Sequence, residues 1–168
     1  MRYLIFFVGL FLFSSCWPTR VGFTDITFPD EWKEFSVKTF ENNAPNTPLS
    51  YSATLTENVK DAIQNNTSLN LSGSPEDAQL EIEGIINSYS ITPVALQEGD
   101  QAAQNRLSVS ATFTIFIKEP EEDQMTVNSS RFVDYPSTTD LGVVESTLLE
   151  EVNAQIVQDI INQLFSNW

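Results

Sequence analysis

The chain of 168 residues contains no histidine. That single absence removes histidine-based triads, histidine general bases and the commonest zinc ligand. Cysteine occurs once, at Cys16, so no internal disulfide framework exists. Positive charge is scarce: 8 basic residues stand against 23 acidic ones, a net charge of −15. Binding to nucleic acid or another anionic surface through bulk electrostatics needs clustered Lys and Arg, which this balance argues against. The acidic excess reads first as a soluble surface and second as an acidic docking face. There is also no glycine-rich phosphate loop, nucleophile elbow or metal-ligand cluster. Three carboxylate groups, Glu81/Glu83, Glu119/Glu121/Glu122 and Glu150/Glu151, have the chemistry of an acid–base pair. They fall on an expected strand face, a turn and the outer side of a helix, which are ordinary solvated positions. The chain is therefore read as not an enzyme, and no cofactor is expected.

What is present begins with the first sixteen residues, MRYLIFFVGLFLFSSC. Arg2 supplies a positive start, Tyr3 to Phe13 an apolar run, and Ser14 and Ser15 lead into Cys16. This is the order of a secretory signal, and small residues before a cysteine resemble a bacterial lipobox with Phe13 where leucine is usual. The apolar run is shorter than the roughly 20 residues a spanning helix needs. The expected division is residues 1–15 as lipoprotein signal peptide, 16–33 as lipidated N-terminus and tether, and 34–168 as a single domain. Removing residues 1–15 takes away Arg2 and leaves 153 residues at a net charge of −16, enough for one domain with a real core.

Periodicity sets the expected elements. Glu34 to Phe40 alternates as a first strand, with Phe35 and Val37 opposed to Ser36, Lys38 and Phe40. Glu41 to Pro48 is turn chemistry. Tyr51, Leu55, Val59, Ala62 and Ile63 recur at helical spacing, predicting a helix from about Leu49 to Asn65. Thr54 and Glu57 fit a capping box there, or sit inside the helix. Leu69 and Leu71 form a short strand or plug the base of the core. A strand from Gln79 slips phase at Gly84-Ile85, as a β-bulge would produce, and ends at Pro93. The clearest strand is Arg106 to Ile117, with six apolar residues on one face and serine and threonine on the other. A second long strand runs from Gln124 to Tyr135, where Phe132 is expected to meet Phe116 across the hairpin. A last helix, capped by Thr139 or Asp140, runs from Leu141 to about Phe165 with one stripe from Leu141 through Leu164. The order strand-helix-strand-strand-strand-helix predicts an α+β two-layer sandwich: two helices packed on one face of a four-stranded, mainly antiparallel sheet.

Arg106, Lys118 and Arg131 flank the expected hairpin. They are either reserved for an anionic headgroup or acidic partner, or paired locally with Glu119, Glu121 or Asp134. The serine and threonine face, with Phe116 and Phe132 among it, is a candidate interaction face, although the same residues are good strand formers.

The layout resembles the LptE family of lipopolysaccharide-assembly lipoproteins, in its Bacteroidetes-type branch. The resemblance rests on NNAP (Asn42 to Pro45), TPVA (Thr92 to Ala95) and NRL (Asn105 to Leu107), then SRFVDY (Ser130 to Tyr135) and the terminal Asn167-Trp168, in that order. It implies a non-catalytic outer-membrane lipoprotein, lipid-anchored through Cys16. Such a protein binds, plugs and assists assembly of the LptD β-barrel for lipopolysaccharide transport to the outer leaflet. Family members of the proteobacterial type contact lipopolysaccharide through basic residues. Here Arg106, Lys118 and Arg131 are the ones near the likely face, so the plug role carries over more directly than lipopolysaccharide binding. No acidic run follows Cys16, which favours the periplasmic side of the outer membrane. The alternatives are a glycan- or lipid-binding periplasmic lipoprotein, using the sheet face or the Val94–Asn105 loop, and a carboxylate-based hydrolase built on Glu81 and Glu83.

Overall fold

A computed structural model describes residues 29–94 and 104–166. The signal segment, Cys16, most of the Val94–Asn105 loop and the terminal Asn167-Trp168 lie outside the described residues. In chain order the elements are β1 (Glu34–Val37), β2 (Glu41–Asn42), α1 (Tyr51–Asn66), β3 (Asn70–Leu71), β4 (Leu80–Val94), β5 (Gln104–Ile117), β6 (Asp123–Pro136) and α2 (Leu141–Ser166).

The α+β class and the two helices are as expected, but the sheet is not four-stranded and mainly antiparallel. Among the described residues it has six strands and is mixed, in the order β3-β1-β4-β5-β6 with β2 also beside β4. β1 and β2 run parallel to β4, and β3 runs parallel to β1. A chain that passes through a helix between two strands of one sheet can return to pair in parallel, and α1 supplies that crossover between β1 and β4. β2 and β3 are two residues each, too short to leave a period in the sequence.

Helix α2 lies over β5 and β6, with α1 beside it over β1 and β3. The strong alternation of β5 holds without exception: Leu107, Val109, Ala111, Phe113, Ile115 and Ile117 are all buried. Opposite them Leu148, Val152, Ile156, Ile160 and Leu164 of α2 are buried, while Leu141 and Val144 pack at the margin. At about 1.5 Å per residue α2 is roughly 39 Å long, and β5 at about 3.3 Å per residue is roughly 46 Å, so helix and strand cover each other.

Local details correct the sequence reading. The bulge in β4 falls between Ile86 and Ser88, not at Gly84-Ile85. Gly84 keeps the core parity because Phe40 and Phe113, packed edge to face with centroids 5.2 Å apart, occupy the space a side chain there would need. Ile85 consequently faces outward. Phe40, grouped in the sequence reading with the polar face, is buried at 3% exposure, because β1 ends at Val37 before the chain shifts to β2. Pro93 does not end β4; it pairs with Asn105. β2 leaves β4 after Ile86, so Pro93 stands where β4 has β5 on one side alone and its missing N–H interrupts no ladder. Trp32, placed by the sequence reading in the tether, belongs to the core, and its indole N–H donates to the Glu119 carbonyl at 2.6 Å. Thr54 sits inside α1, bonding the Ser50 carbonyl, and Asp140 caps α2 by accepting from the Gly142 N–H at 2.8 Å.

Candidate functional site: the polar face of the sheet

Both helices pack on one face, and no described element packs on the other. That second face is built from the even-numbered residues of β5 and β6. Serine, threonine and asparagine side chains bridge the strands: Ser88 Oγ lies 2.6 Å from Ser110 Oγ, Asn87 Nδ2 donates to Thr112 Oγ1 at 2.8 Å, and Thr112 Oγ1 donates to Asn128 Oδ1 at 2.9 Å. Thr114 stands opposite Thr126, and Ser110 opposite Ser130. Small β-compatible polar residues thus tie the three long strands together while leaving a flat surface of donors and acceptors.

The predicted contact residues are not one cluster. Arg106 lies on this face at the start of β5, gripping Asp134 through Nε at 2.7 Å and Nη2 at 2.8 Å. Its guanidinium also covers the Phe132 ring, 3.7 Å from the centroid, while Phe132 keeps 49% exposure. The hydrogen bond from Arg106 holds the Asp134 carboxyl below its usual range. Phe132 does not meet Phe116: the register puts Phe132 opposite Ser108 and Phe116 opposite Gln124. Lys118 is twelve residues along from Arg106, roughly 40 Å for an extended strand. Its Nζ donates to the Pro75 carbonyl at 2.5 Å and lies 3.3 Å from Glu81. Here Phe116, Lys38, Glu81, Glu83 and Gln124 line a shallow depression of about 610 Å³. Lys38 bridges both carboxylates, at 2.6 Å from Glu81 and 2.5 Å from Glu83, and its hydrogen bond holds Glu81 below the usual carboxylate range.

Arg131 points to the other side of the sheet. Its guanidinium pairs with Asp159 of α2, which also accepts from Ser129 Oγ at 2.5 Å. Burial pushes the Asp159 carboxyl up, but the Arg131 and Ser129 hydrogen bonds outweigh it and hold the group below its usual value. Of the three local partners offered for these cations, Asp134 is present, on Arg106, while neither Glu119 nor Glu121 enters an ion pair among the described residues. Asp159 and Glu81 were not foreseen as partners. A signal existed for the first: Ser129 and Arg131 share the apolar parity of β6, so a polar partner on the facing helix was required.

Among the described residues no group of three or more acidic or cysteine side chains is placed to hold a metal ion. No described helix is long and apolar enough to cross a membrane.

The fold is that of small bacterial lipoproteins, an α+β sandwich with helices on one side of a mixed sheet. A family model described as LptE, lipopolysaccharide-assembly, matches residues 32–164, and the chain belongs to that family. It is a family of non-enzymatic lipoproteins associated with the outer membrane. Among solved structures, lipoprotein B from Nitrosomonas europaea is similar at 14% identity and a TM-score of 0.54, covering 80% of this chain and 83% of that one. A protein from Xanthomonas campestris is similar at 10% identity and a TM-score of 0.51, covering 80% and 83%. The rare lipoprotein B from Shewanella oneidensis shares 16% identity at a TM-score of 0.47, covering 79% and 93%. At these identities the likeness is one of fold. No curated protein matches the chain.

Proposed function

We propose that this protein is a lipid-anchored outer-membrane lipoprotein that binds and plugs an LptD β-barrel and assists its assembly for lipopolysaccharide transport. The observation that carries this reading is the open polar face of β4, β5 and β6. A sheet face left without a covering layer is ordinarily polar and solvated. This one carries hydroxyls and amides in register, with one exposed ring, Phe132, under Arg106. The lumen of a membrane barrel is polar, and such a face matches it without burying unpaired charge, since Arg106 and Lys118 are already neutralised by Asp134 and Glu81. Cys16 is the proposed lipid site and the periplasmic side the proposed location. Arg106, Phe132, Phe116 and Lys118 are the proposed contacts with the barrel, while Arg131 serves the helix contact through Asp159. With its cations paired, the face suits a protein partner better than a direct lipopolysaccharide site.

The test is co-purification in mild detergent from the native outer membrane. A barrel recovered with the tagged chain at about one to one supports the proposal. The chain recovered alone, or with only glycan or lipid, moves the reading to the glycan- or lipid-binding lipoprotein.

A further inference from the structure

Phe132 stands on the polar sheet face with 49% of its surface exposed. One exposed ring is ordinary on a protein surface; the way this ring is held is not. The register sets Arg106 directly opposite Asp134, and Phe132 two residues further along, opposite Ser108. Arg106 and Phe132 are therefore diagonal neighbours, close enough for a long side chain and a ring to meet. Asp134 takes the guanidinium from its edge, through Nε at 2.7 Å and Nη2 at 2.8 Å. The guanidinium carbon then lies over the ring, 3.7 Å from its centroid. A lysine, with a point charge on a flexible stem, would not be fixed in this way. The chain has four arginines in all, and one of them is locked between this carboxylate and this ring.

One face of the ring is covered and the rest is open. Hydroxyls surround it: Ser108 directly opposite, Ser90 beyond it on β4, and Ser130 two residues back on β6. The charge of Arg106 is already matched by Asp134, so a charged group arriving here finds no unpaired opposite charge. A cation on one face draws the ring's π density toward itself, which favours an electron-rich group on the open face. A ring set among hydroxyls suits a side chain with an apolar body and a polar tip. We propose that Phe132 is the anchor of the barrel-docking face and that its occupant is a tyrosine-type side chain from the inner wall of the barrel. Arg106 is then a positioning residue that acts through Phe132. The partner's ring lies on the open face of Phe132, and its hydroxyl bonds a neighbouring serine. This inference rests on the barrel-docking reading and assigns, within it, the group that carries the affinity.

The test is the mild-detergent co-purification run on the full chain as the native sequence, Phe132→Leu, Arg106→Lys and the double variant, each checked for an unchanged melting temperature. Phe132→Leu keeps an apolar side chain and removes the ring, and barrel recovery falls by about fivefold or more, as for an aromatic hot spot. Arg106→Lys keeps the charge and removes the fork, and recovery falls about threefold. The double variant recovers as much barrel as Phe132→Leu alone, because a residue that acts through the ring then has nothing to position. A benzophenone-bearing phenylalanine at position 132 identifies the occupant, with its adduct expected on an aromatic residue of the barrel. Undiminished recovery with Phe132→Leu, while the native chain still brings the barrel down, overturns the inference and leaves the docking reading standing. Losses that multiply in the double variant make Arg106 a direct contact and overturn its positioning role. An adduct on a non-aromatic residue overturns the occupant. A native chain recovered without any barrel removes the docking reading and this inference together.

Discussion

Replacing Gly84 with alanine tests how the core sets the path of β4. A Cβ at Gly84 would stand 2.6 Å from Phe40 Cδ1 and 2.7 Å from Phe113 Cδ1. Both rings are fully or nearly buried, at 3% and 0% exposure, and each is held by the other. Neither can swing into solvent, so the methyl group must displace the pair or push β4 outward. Inserting a methyl into a packed core costs about 1–3 kcal/mol, and disturbing the edge-to-face pair adds roughly 0.5–1.5 kcal/mol. Removing glycine's freedom from the unfolded chain returns about 0.5–1 kcal/mol. The net expectation is a loss of roughly 0.5–4 kcal/mol, or about 2–16 °C in melting temperature at about 4 °C per kcal/mol. Urea unfolding checks it: the midpoint falls and the slope stays constant. In a Phe40→Leu background the same substitution costs less, by about 1 kcal/mol, because the two sites couple. An unchanged or raised midpoint for Gly84→Ala, or full additivity with Phe40→Leu, refutes this packing argument.

Four further outcomes are expected. Asp159→Asn removes the charge that Arg131 and Ser129 bond, destabilising the domain by roughly 1–2 kcal/mol after allowance for the partly exposed arginine; calorimetry reads the change. Asp159, Asp134 and Glu81 all have carboxyl values below the ordinary ones, 3.8 for aspartate and 4.5 for glutamate. Their contribution is present above those ordinary values and is lost as pH falls through the lower folded values, so stability declines on acidification below about pH 4. A flat stability profile from pH 5 to 2 contradicts this, and Asp159→Asn reduces the slope. Ile156→Ala, at a position with 0% exposure, costs about 2–5 kcal/mol in chemical unfolding. Phe132→Ser, on the open face, changes stability by no more than about 0.5 kcal/mol yet lowers barrel recovery in the co-purification.

Much of the fold could be read from period alone. β5 declared itself because its core face is unbroken, and α2 because a stripe at steps of three and four has no interruption through seven positions. Where two signals compete, period is not enough. Gly84 carries no side chain, so its parity depends on Phe40, which is distant in sequence, and the bulge was placed three residues early. β2 and β3 owe their pairing to β4 and β1 and leave no trace of their own. The hairpin face was legible as alternating hydroxyls, but the meeting of Phe116 and Phe132 depended on register. The turn between β5 and β6 sets that register, separating the two rings by eight positions along the strands. Arg131 shows the other limit: a basic residue in a strand reads as surface until the facing helix supplies Asp159. The buried hydrogen bond from the Tyr51 hydroxyl to Asn153, between the two helices, spans 102 positions. Its one hint was an asparagine set beside Val152 near the apolar stripe.

The central claim is that the hydroxyl face of β4, β5 and β6 is the surface that meets the barrel. Site-specific photo-crosslinking in the native outer membrane tests it most directly, with the probe placed at Thr112 in the middle of that face and at Gln158 on the exposed side of α2. The expected result is an adduct between Thr112 and a large barrel protein, lost when Thr126 or Asn128 is changed to lysine, with no such adduct from Gln158. A barrel adduct from Gln158 and none from Thr112 contradicts the claim and assigns the docking surface to the helices.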